Sequence, residues 1–351
     1  MREKIQEIVE RYAIANHFSG VVRMKLGDYT LYEGAFGYAC KPFKIPNRMD
    51  IRFANASITK TFTALAIFDL IDQGKLSLSD SVRQFLILED IHLDPAITIE
   101  HLLTHTSGIK DYFDELDPDG FEKLWQQVPC QYVNRLDKML PLFIDETPIS
   151  RPGERFSYSG AGYILLGLII ESIVGSDYYT YMREAIFKKL YLFDTDFIPL
   201  HQVVDNVAEG YIPLKDERNH LIGWKKNIYS VPAHGLSDGG SFSTARDMIK
   251  FLRSIRKHEL LSPQMTAKWL TPMVEVTEQW HYGYGLWFQK YSDGRVLKYG
   301  HIGENPGVSA RVFYYPQQDI DLVLFSNHGF STSALLGELE AVILNETGSK
   351  V

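Results

Sequence analysis

The sequence predicts an α+β fold, an antiparallel sheet flanked by the chain's N- and C-terminal helices, with a mostly helical domain inserted along the way. Three observations predict it. The opening residues show helical spacing and run straight into a hairpin pattern. The middle of the chain is a series of helical segments cut by breakers. The last third alternates or runs β-branched before a closing apolar-periodic helix.

In order, a helix over about residues 3 to 17 leads into Val21 to Leu26, the turn pair Gly27-Asp28, and Tyr29 to Ala35, which reads as a β-hairpin. After an irregular stretch with Pro42 and Pro46, Asn55-Ala-Ser57 opens a helix that runs to the stop at Gly74. Its apolar residues Ile58, Phe62, Leu65, Ile67, Phe68, Leu70 and Ile71 surround the axis, so it is expected to be a buried central helix. Helical segments then alternate with Gly108, Pro118 (which lies outside the residues the structure describes), Gly120, Pro141, Pro148 and Pro152-Gly153. Tyr282 to Lys290, Arg295 to Lys298, Val308 to Tyr315 and Asp321 to Ser326 form a predicted meander, and Ser333 to Leu344 a final helix. The expected domains are residues 1–78 with 225–351 for the sheet and 79–224 for the helical insertion, with the active site at their interface.

The 351 residues are 45% hydrophobic and 23% charged, which excludes disorder, collagen and coiled coil. Lys and Arg number 36 against 44 Asp and Glu, so the basic excess expected of nucleic-acid binders is missing and no such partner is predicted. Cys40 and Cys130 stand far apart without a CxxC, which points away from a disulfide framework and from a thiolate zinc site. The N-terminus lacks the uninterrupted apolar run of a signal peptide. The greasiest stretch, Tyr163 to Ile170, falls short of the roughly 18 apolar residues of a membrane span. The expectation is a cytoplasmic chain with no membrane span, although a trimmed exported form would read identically.

Ser57-Ile-Thr-Lys60 puts a hydroxyl and an amine three residues apart on one face of a helix start. Either Ser57 simply caps the helix and Lys60 is solvated, or the pair is a nucleophile and its base. The apolar surroundings of the helix favour a desolvated lysine, whose pKa falls near a positive helix terminus. Arg151-Pro-Gly-Glu-Arg-Phe-Ser-Tyr158-Ser-Gly160 is a turn that delivers Tyr158 to the entry of another apolar helix. His301-Ile-Gly303 lies on a meander strand, where the glycine permits a ligand to approach the backbone.

These elements, in this order, resemble the serine β-lactamase-like and penicillin-binding-protein-like superfamily: class C β-lactamases, D-alanyl-D-alanine carboxypeptidases and related esterases. The resemblance spans nearly the whole chain and includes Phe53-Ala-Asn-Ala-Ser-Ile-Thr-Lys60, His101-Leu-Leu-Thr-His-Thr-Ser-Gly108, Pro152-Gly153 before Tyr158, and Asp238-Gly-Gly-Ser-Phe-Ser-Thr-Ala-Arg-Asp247. It implies a β-lactamase/transpeptidase-like fold and a serine hydrolase working through an acyl-enzyme on Ser57. Lys60 and Tyr158 would then shuttle the proton, His301 to Gly303 would line the opposite wall, and the backbone N–H groups of Ser57 and Glu304 would hold the oxyanion. No cofactor or metal is implied, and the partner is a small acyl substrate: an ester, a β-lactam or a D-Ala peptide.

Two departures from the family pattern bear on substrate. Gly160 stands where the β-lactamases carry the Asn of Tyr-x-Asn, so an amide-recognition contact on the acyl side is expected to be missing. His301 replaces the wall lysine, so a fractional charge near neutral pH is expected there. Both favour short acyl esters or D-amino-acid-like substrates, with weak β-lactamase activity. Two alternatives stand beside this reading. One is a penicillin- or peptide-binding protein that acylates without turnover. The other is an α/β-hydrolase-type esterase using Ser237 of Gly235-Leu-Ser-Asp-Gly239, followed by Asp321 and His328. His101 and His105 have zinc-pair spacing, but Leu102 occupies the place of the general base, so no metal is predicted.

Overall fold

The computed structural model of the protein describes residues 1–86, 93–113, 120–329 and 331–345. Helix α1 (Arg2–Ala15) buries Ile5, Val9, Tyr12 and Ala13, one stripe at spacings of one to four residues. Strands β1 (Gly20–Leu26) and β2 (Tyr29–Phe36) follow, joined by the two-residue turn in which Gly27 takes a φ of +48°. The rest of the main sheet comes from the last third of the chain. It comprises β3 (Val274–Glu275), β4 (Trp280–Tyr282), β5 (Trp287–Lys290), β6 (Val296–Asn305), β7 (Val308–Tyr315) and β8 (Ile320–Ser326). The spatial order is β2-β1-β8-β7-β6-β5-β4-β3, with antiparallel pairing throughout. Strand β8 lies against β1 from Gly20↔Ser326 to Leu26↔Ile320, so the two ends of the chain share one sheet.

Both faces of that sheet are covered, and the side-chain period of two sorts the residues between them. On one face Val21, Val312, Val323 and Phe325 join the core built by α2 (Thr59–Asp72), α3 (Gly160–Val174) and α4 (Ala245–Arg256). On the other, Val22, Met24, Leu322 and Leu324 pack with α1 and with α5 (Ser333–Asn345). Helix α2 is buried at every position from Thr59 to Leu70, as its all-round apolar pattern requires. Phe62 meets Phe251 and Phe187 edge-on at 4.7 and 5.2 Å between ring centroids, fixing the helix against two neighbours. The first residue of this helix therefore has little freedom to shift.

The structure departs from the sequence reading in two places. The single strand expected over Tyr282 to Lys290 is two strands, β4 and β5, separated by the turn Gly283–Gly285 that abuts α2. Within the stretch expected to be mostly helical, Tyr211–Lys215 and Leu221–Lys226 form an antiparallel hairpin. Among the described residues no single helix is long and apolar enough to cross a membrane, and both cysteines are free.

Candidate active site

Ser57 is set by a scaffold of short-range bonds. Phe53–Ala54 pairs with Phe242–Ser243, and Asn55 N–H donates to the Ser241 carbonyl at 2.7 Å. The Thr59 hydroxyl lies 2.8 Å from Ser241 Oγ and donates to the Ala56 carbonyl at 2.7 Å. Ala56 is held at φ +45°, a left-handed conformation that a non-glycine residue keeps only when its surroundings enforce it. The half-buried Ser57 follows on a 3-10 turn, Ala56–Ile58, that feeds directly into α2.

Lys60 is one turn on, 1% exposed, and its Nζ donates to Ser57 Oγ at 3.2 Å and to the Asp238 carbonyl at 2.7 Å. The same nitrogen lies 5.0 Å from the Tyr158 ring centroid and 5.7 Å from that of Tyr163. The helix-cap alternative fails on this geometry: Ser57 makes no side-chain cap bond and Lys60 is enclosed.

Tyr158 reaches this pair because two residues pin the segment on either side of it. Ser157 N–H donates to the His105 carbonyl at 2.8 Å, and Ser159 N–H to His105 Nδ1 at 3.1 Å. The His105 ring packs 4.2 Å from the Tyr158 ring, whose further neighbours include Trp287, nearly parallel at 15°. Because Nδ1 accepts, His105 is the Nε2–H tautomer. Burial first, and then the Lys60 charge, pushes its pKa well below the usual imidazole range. Asp111 caps α3 from outside, accepting from Gly160 N–H at 2.9 Å and Ala161 N–H at 3.1 Å. Asp111 is half-buried, and burial raises its carboxyl pKa to about 7 against those hydrogen bonds.

On the opposite wall, β6 pairs with β7 along its whole outer half, whereas its pairing with β5 ends at Gly300. The edge from His301 to Asn305 is left open toward the Asn55–Ser57 segment. Gly303 makes that approach possible, since a Cβ there would lie 2.1 Å from the Asn55 carbonyl oxygen. The Glu304 carboxylate is engaged elsewhere, with Arg311 at 2.6 Å and Ser309 Oγ at 2.8 Å. His301 departs from expectation. It is 1% exposed, its Nδ1 faces the Ile302 carbonyl at 2.7 Å and its Nε2 the Tyr282 hydroxyl at 3.1 Å. Burial and then the Lys60 charge lower its pKa to about 3, so it is neutral near pH 7 and carries no fractional charge.

Ser57, Lys60, Tyr158, Gly160 and Glu304 border one cavity of about 380 Å³, whose far wall is apolar with Ile198, Leu200, Val203, Val207, Ile228 and Val231. The position of the expected missing contact is occupied. A Cβ on Gly160 would fall 2.6 Å from Asp238 Oδ2 and 2.8 Å from the Tyr112 ring, and Tyr112 OH donates to Asp238 Oδ2 at 2.5 Å. His105, Asp111, Tyr112 and the carboxylate of Asp238 are site residues that the sequence reading did not assign. Only the His101-to-Gly108 motif and the Asp238-Gly-Gly run held a signal for two of them.

The competing constellations come apart. Ser237 is fully buried with its hydroxyl donating to the Tyr163 carbonyl at 2.8 Å, and it borders no part of the cavity. Asp321 is bound by Arg253 and Arg256, while His328 stacks on Trp224 at 4.1 Å. A Ser237-based triad is therefore excluded. His101 serves in a capping box with Thr98, and no group of metal-ligating side chains assembles among the described residues.

Known proteins share this architecture. A penicillin-binding protein of Bacillus halodurans superposes with a TM-score of 0.89 at 37% identity, covering 96% of this chain and 99% of that one. Penicillin-binding protein 4* of Bacillus subtilis is 27% identical over 98% of this chain and 76% of its own length. The D-amino acid amidase of Ochrobactrum anthropi SV3 has the same fold, with a TM-score of 0.79 at 23% identity and 99% of each chain covered. The family model described as Beta-lactamase matches residues 2–344, and the chain accordingly belongs to the beta-lactamase family, within the serine β-lactamase and transpeptidase superfamily.

Proposed function

We propose that the protein hydrolyses small acyl esters or amides through a covalent acyl-enzyme on Ser57. The observation that carries this reading is the buried Lys60 Nζ 3.2 Å from Ser57 Oγ at the edge of the cavity. Ser57 Oγ attacks the substrate carbonyl after Lys60 has released its own proton, and the Ser57 proton then passes to Lys60, coupled to Tyr158. The C–O bond that forms leaves a tetrahedral oxyanion, received by the N–H groups of Ser57 and Glu304. The open β6 edge beside Ser57 supports that role for Glu304, with its carboxylate held away by Arg311. Collapse breaks the bond to the leaving group, which Tyr158 protonates. Water then attacks the Ser57 ester by the reverse proton path and releases the acid.

The cavity borders both the sheet unit, residues 1–78 with 225–351, and the helical unit, residues 79–224, which supports a site at their interface. The D-amino acid amidase with the same fold supports amides as substrates beside esters. Stopped-flow kinetics with a chromogenic ester tests the reading. Sustained turnover after a stoichiometric burst is the expected trace. A burst without turnover would identify a binder that acylates and stalls, and no burst or turnover would remove the acyl-enzyme.

A further inference from the structure

We infer that Arg311 is a positioning residue for the oxyanion site: it grips the Glu304 carboxylate from behind the sheet and so aims the Glu304 N–H at the reacting carbonyl. This deepens the proposed function and rests on that reading for the oxyanion role of Glu304.

Strand geometry separates what Glu304 offers to each side. Strands β6 and β7 are joined by the two-residue turn Pro306-Gly307, so the closing pair Asn305↔Val308 is bonded across the hairpin and the antiparallel ladder alternates from there. Asn305, Gly303 and His301 then turn their backbone groups toward β7. Glu304 and Ile302 turn theirs the other way, to the edge that β5 leaves open beyond Gly300. The Glu304 side chain leaves the plane on the face where Ile302 packs with α1 and α5, opposite the face where a Gly303 Cβ would meet Asn55.

On that rear face the carboxylate is tied into a chain of bonds that ends at α5. Arg311 is 5% exposed and pairs with Glu304 at 2.6 Å. The same guanidinium donates to the Ala310 carbonyl at 2.8 Å and to Oγ of Ser333, the first residue of α5. Ser309, directly across the ladder from Glu304, donates its hydroxyl to the carboxylate at 2.8 Å. Its oxygen lies 2.7 Å from Thr332 Oγ1 and accepts from Thr332 N–H at 3.2 Å, and both residues are fully buried. A planar, permanently charged fork held at three points fixes a carboxylate in one orientation, as a lysine would do less well.

Two effects on the chemistry follow. Residue 304 is clamped before substrate arrives, so its N–H need not reorganise as the oxyanion forms. Glu304 also borders the cavity, and its negative charge, which opposes a second one developing nearby, is balanced by the guanidinium. Both effects act where charge develops, so Arg311 bears on the rate of acylation and not on the binding of the ester.

Burst kinetics with p-nitrophenyl acetate test this by reading the acylation rate at saturation separately from the half-saturating ester concentration. Arg311→Met is expected to slow acylation at least about tenfold, part of the loss that follows outright removal of an oxyanion donor, with half-saturation within about twofold of native. Arg311→Lys, which keeps the charge, should regain most of that rate. Adding Glu304→Gln to Arg311→Met removes the carboxylate too and should give faster acylation than Arg311→Met alone. Thermal denaturation accompanies each variant, since breaking a buried ion pair is destabilising. Where Arg311→Met does not fold, Ser333→Ala, an exposed change that frees one arm of the guanidinium, takes its place with an expected loss of about twofold or more in acylation rate, the scale of a weakened hydrogen bond. Native acylation in the folded variant, a loss confined to half-saturation, or no rescue by lysine overturns the inference and leaves the Ser57 reading standing. No burst from the native protein overturns that reading and this inference together.

Discussion

The amine nitrogen of Lys60 stands 3.2 Å from the hydroxyl of Ser57 and 5.0 Å from the centre of the Tyr158 ring, with 1% of the lysine exposed. In the proposed mechanism these three groups act as a unit in proton transfer. Lys60→Ala and Tyr158→Phe are each expected to lower kcat/KM by at least about a hundredfold, the scale of one general acid–base group. The double variant should lose far less than the product of the two. Steady-state kinetics of the three variants measure this, and multiplicative losses would mean that the two residues act in separate steps.

His301 gives a prediction opposite in sense to its sequence-based expectation. Its folded pKa of about 3 lies below the unfolded imidazole value of 6.5. The contribution to stability is therefore complete above 6.5 and is lost as the pH falls toward about 3. Nitrogen-15 NMR of the histidine side chains should show His301 neutral at pH 5, and affinity for a carboxylate ligand should not rise through the ordinary imidazole range on its account. An imidazolium signal from His301 above about pH 5 would contradict its enclosure by Tyr282 and the Ile302 carbonyl.

Asp111 has the opposite sign. Its pKa rises from 3.8 to about 7 on folding, so the folded protein holds a proton there that the unfolded chain releases. That proton favours the folded state at acid pH, and the advantage shrinks as pH rises from about 4 to about 7. Denaturant titrations should show the stability of the native protein relative to Asp111→Asn falling across that interval. A difference that is flat with pH would place the Asp111 carboxyl in a wetter setting.

Ser237→Ala should keep most of the activity. The hydroxyl is buried against the Tyr163 carbonyl and its loss costs about 1 kcal/mol of stability for one hydrogen bond. Thermal denaturation and ester kinetics on the same sample separate the two effects, and loss of turnover in a well-folded variant would reinstate the Gly235–Gly239 motif as a nucleophile turn.

Much of the fold was legible because burial patterns wrote it. Helix α2 is apolar on every side, and the β7 and β8 strands carry β-branched residues for two covered faces. The hairpin Tyr211–Lys215 and Leu221–Lys226 was missed because most of its residues are exposed or half-exposed, so no clean apolar alternation marks it. Ser57, Lys60 and Tyr158 were readable as local motifs, and the structure brings them together. His105 and Asp111 were not, because their partners Ser159 and Gly160 lie about fifty residues away and the contacts exist only in three dimensions. Gly160 illustrates the same limit. Its missing side chain read as a missing contact, whereas Asp238 and Tyr112, 126 residues apart, fill the place. The charge state of His301 likewise depends on burial that spacing along the strand does not encode.

The acyl-enzyme is tested most directly by intact-protein mass spectrometry after brief incubation with a p-nitrophenyl ester, a penicillin and a D-Ala-D-Ala peptide, followed by peptide mapping of any adduct. The account predicts one acyl group per chain, located on the peptide containing Ser57 and absent from Ser57→Ala. An adduct that persists in Ser57→Ala, or no adduct with any of the three compounds, would contradict it.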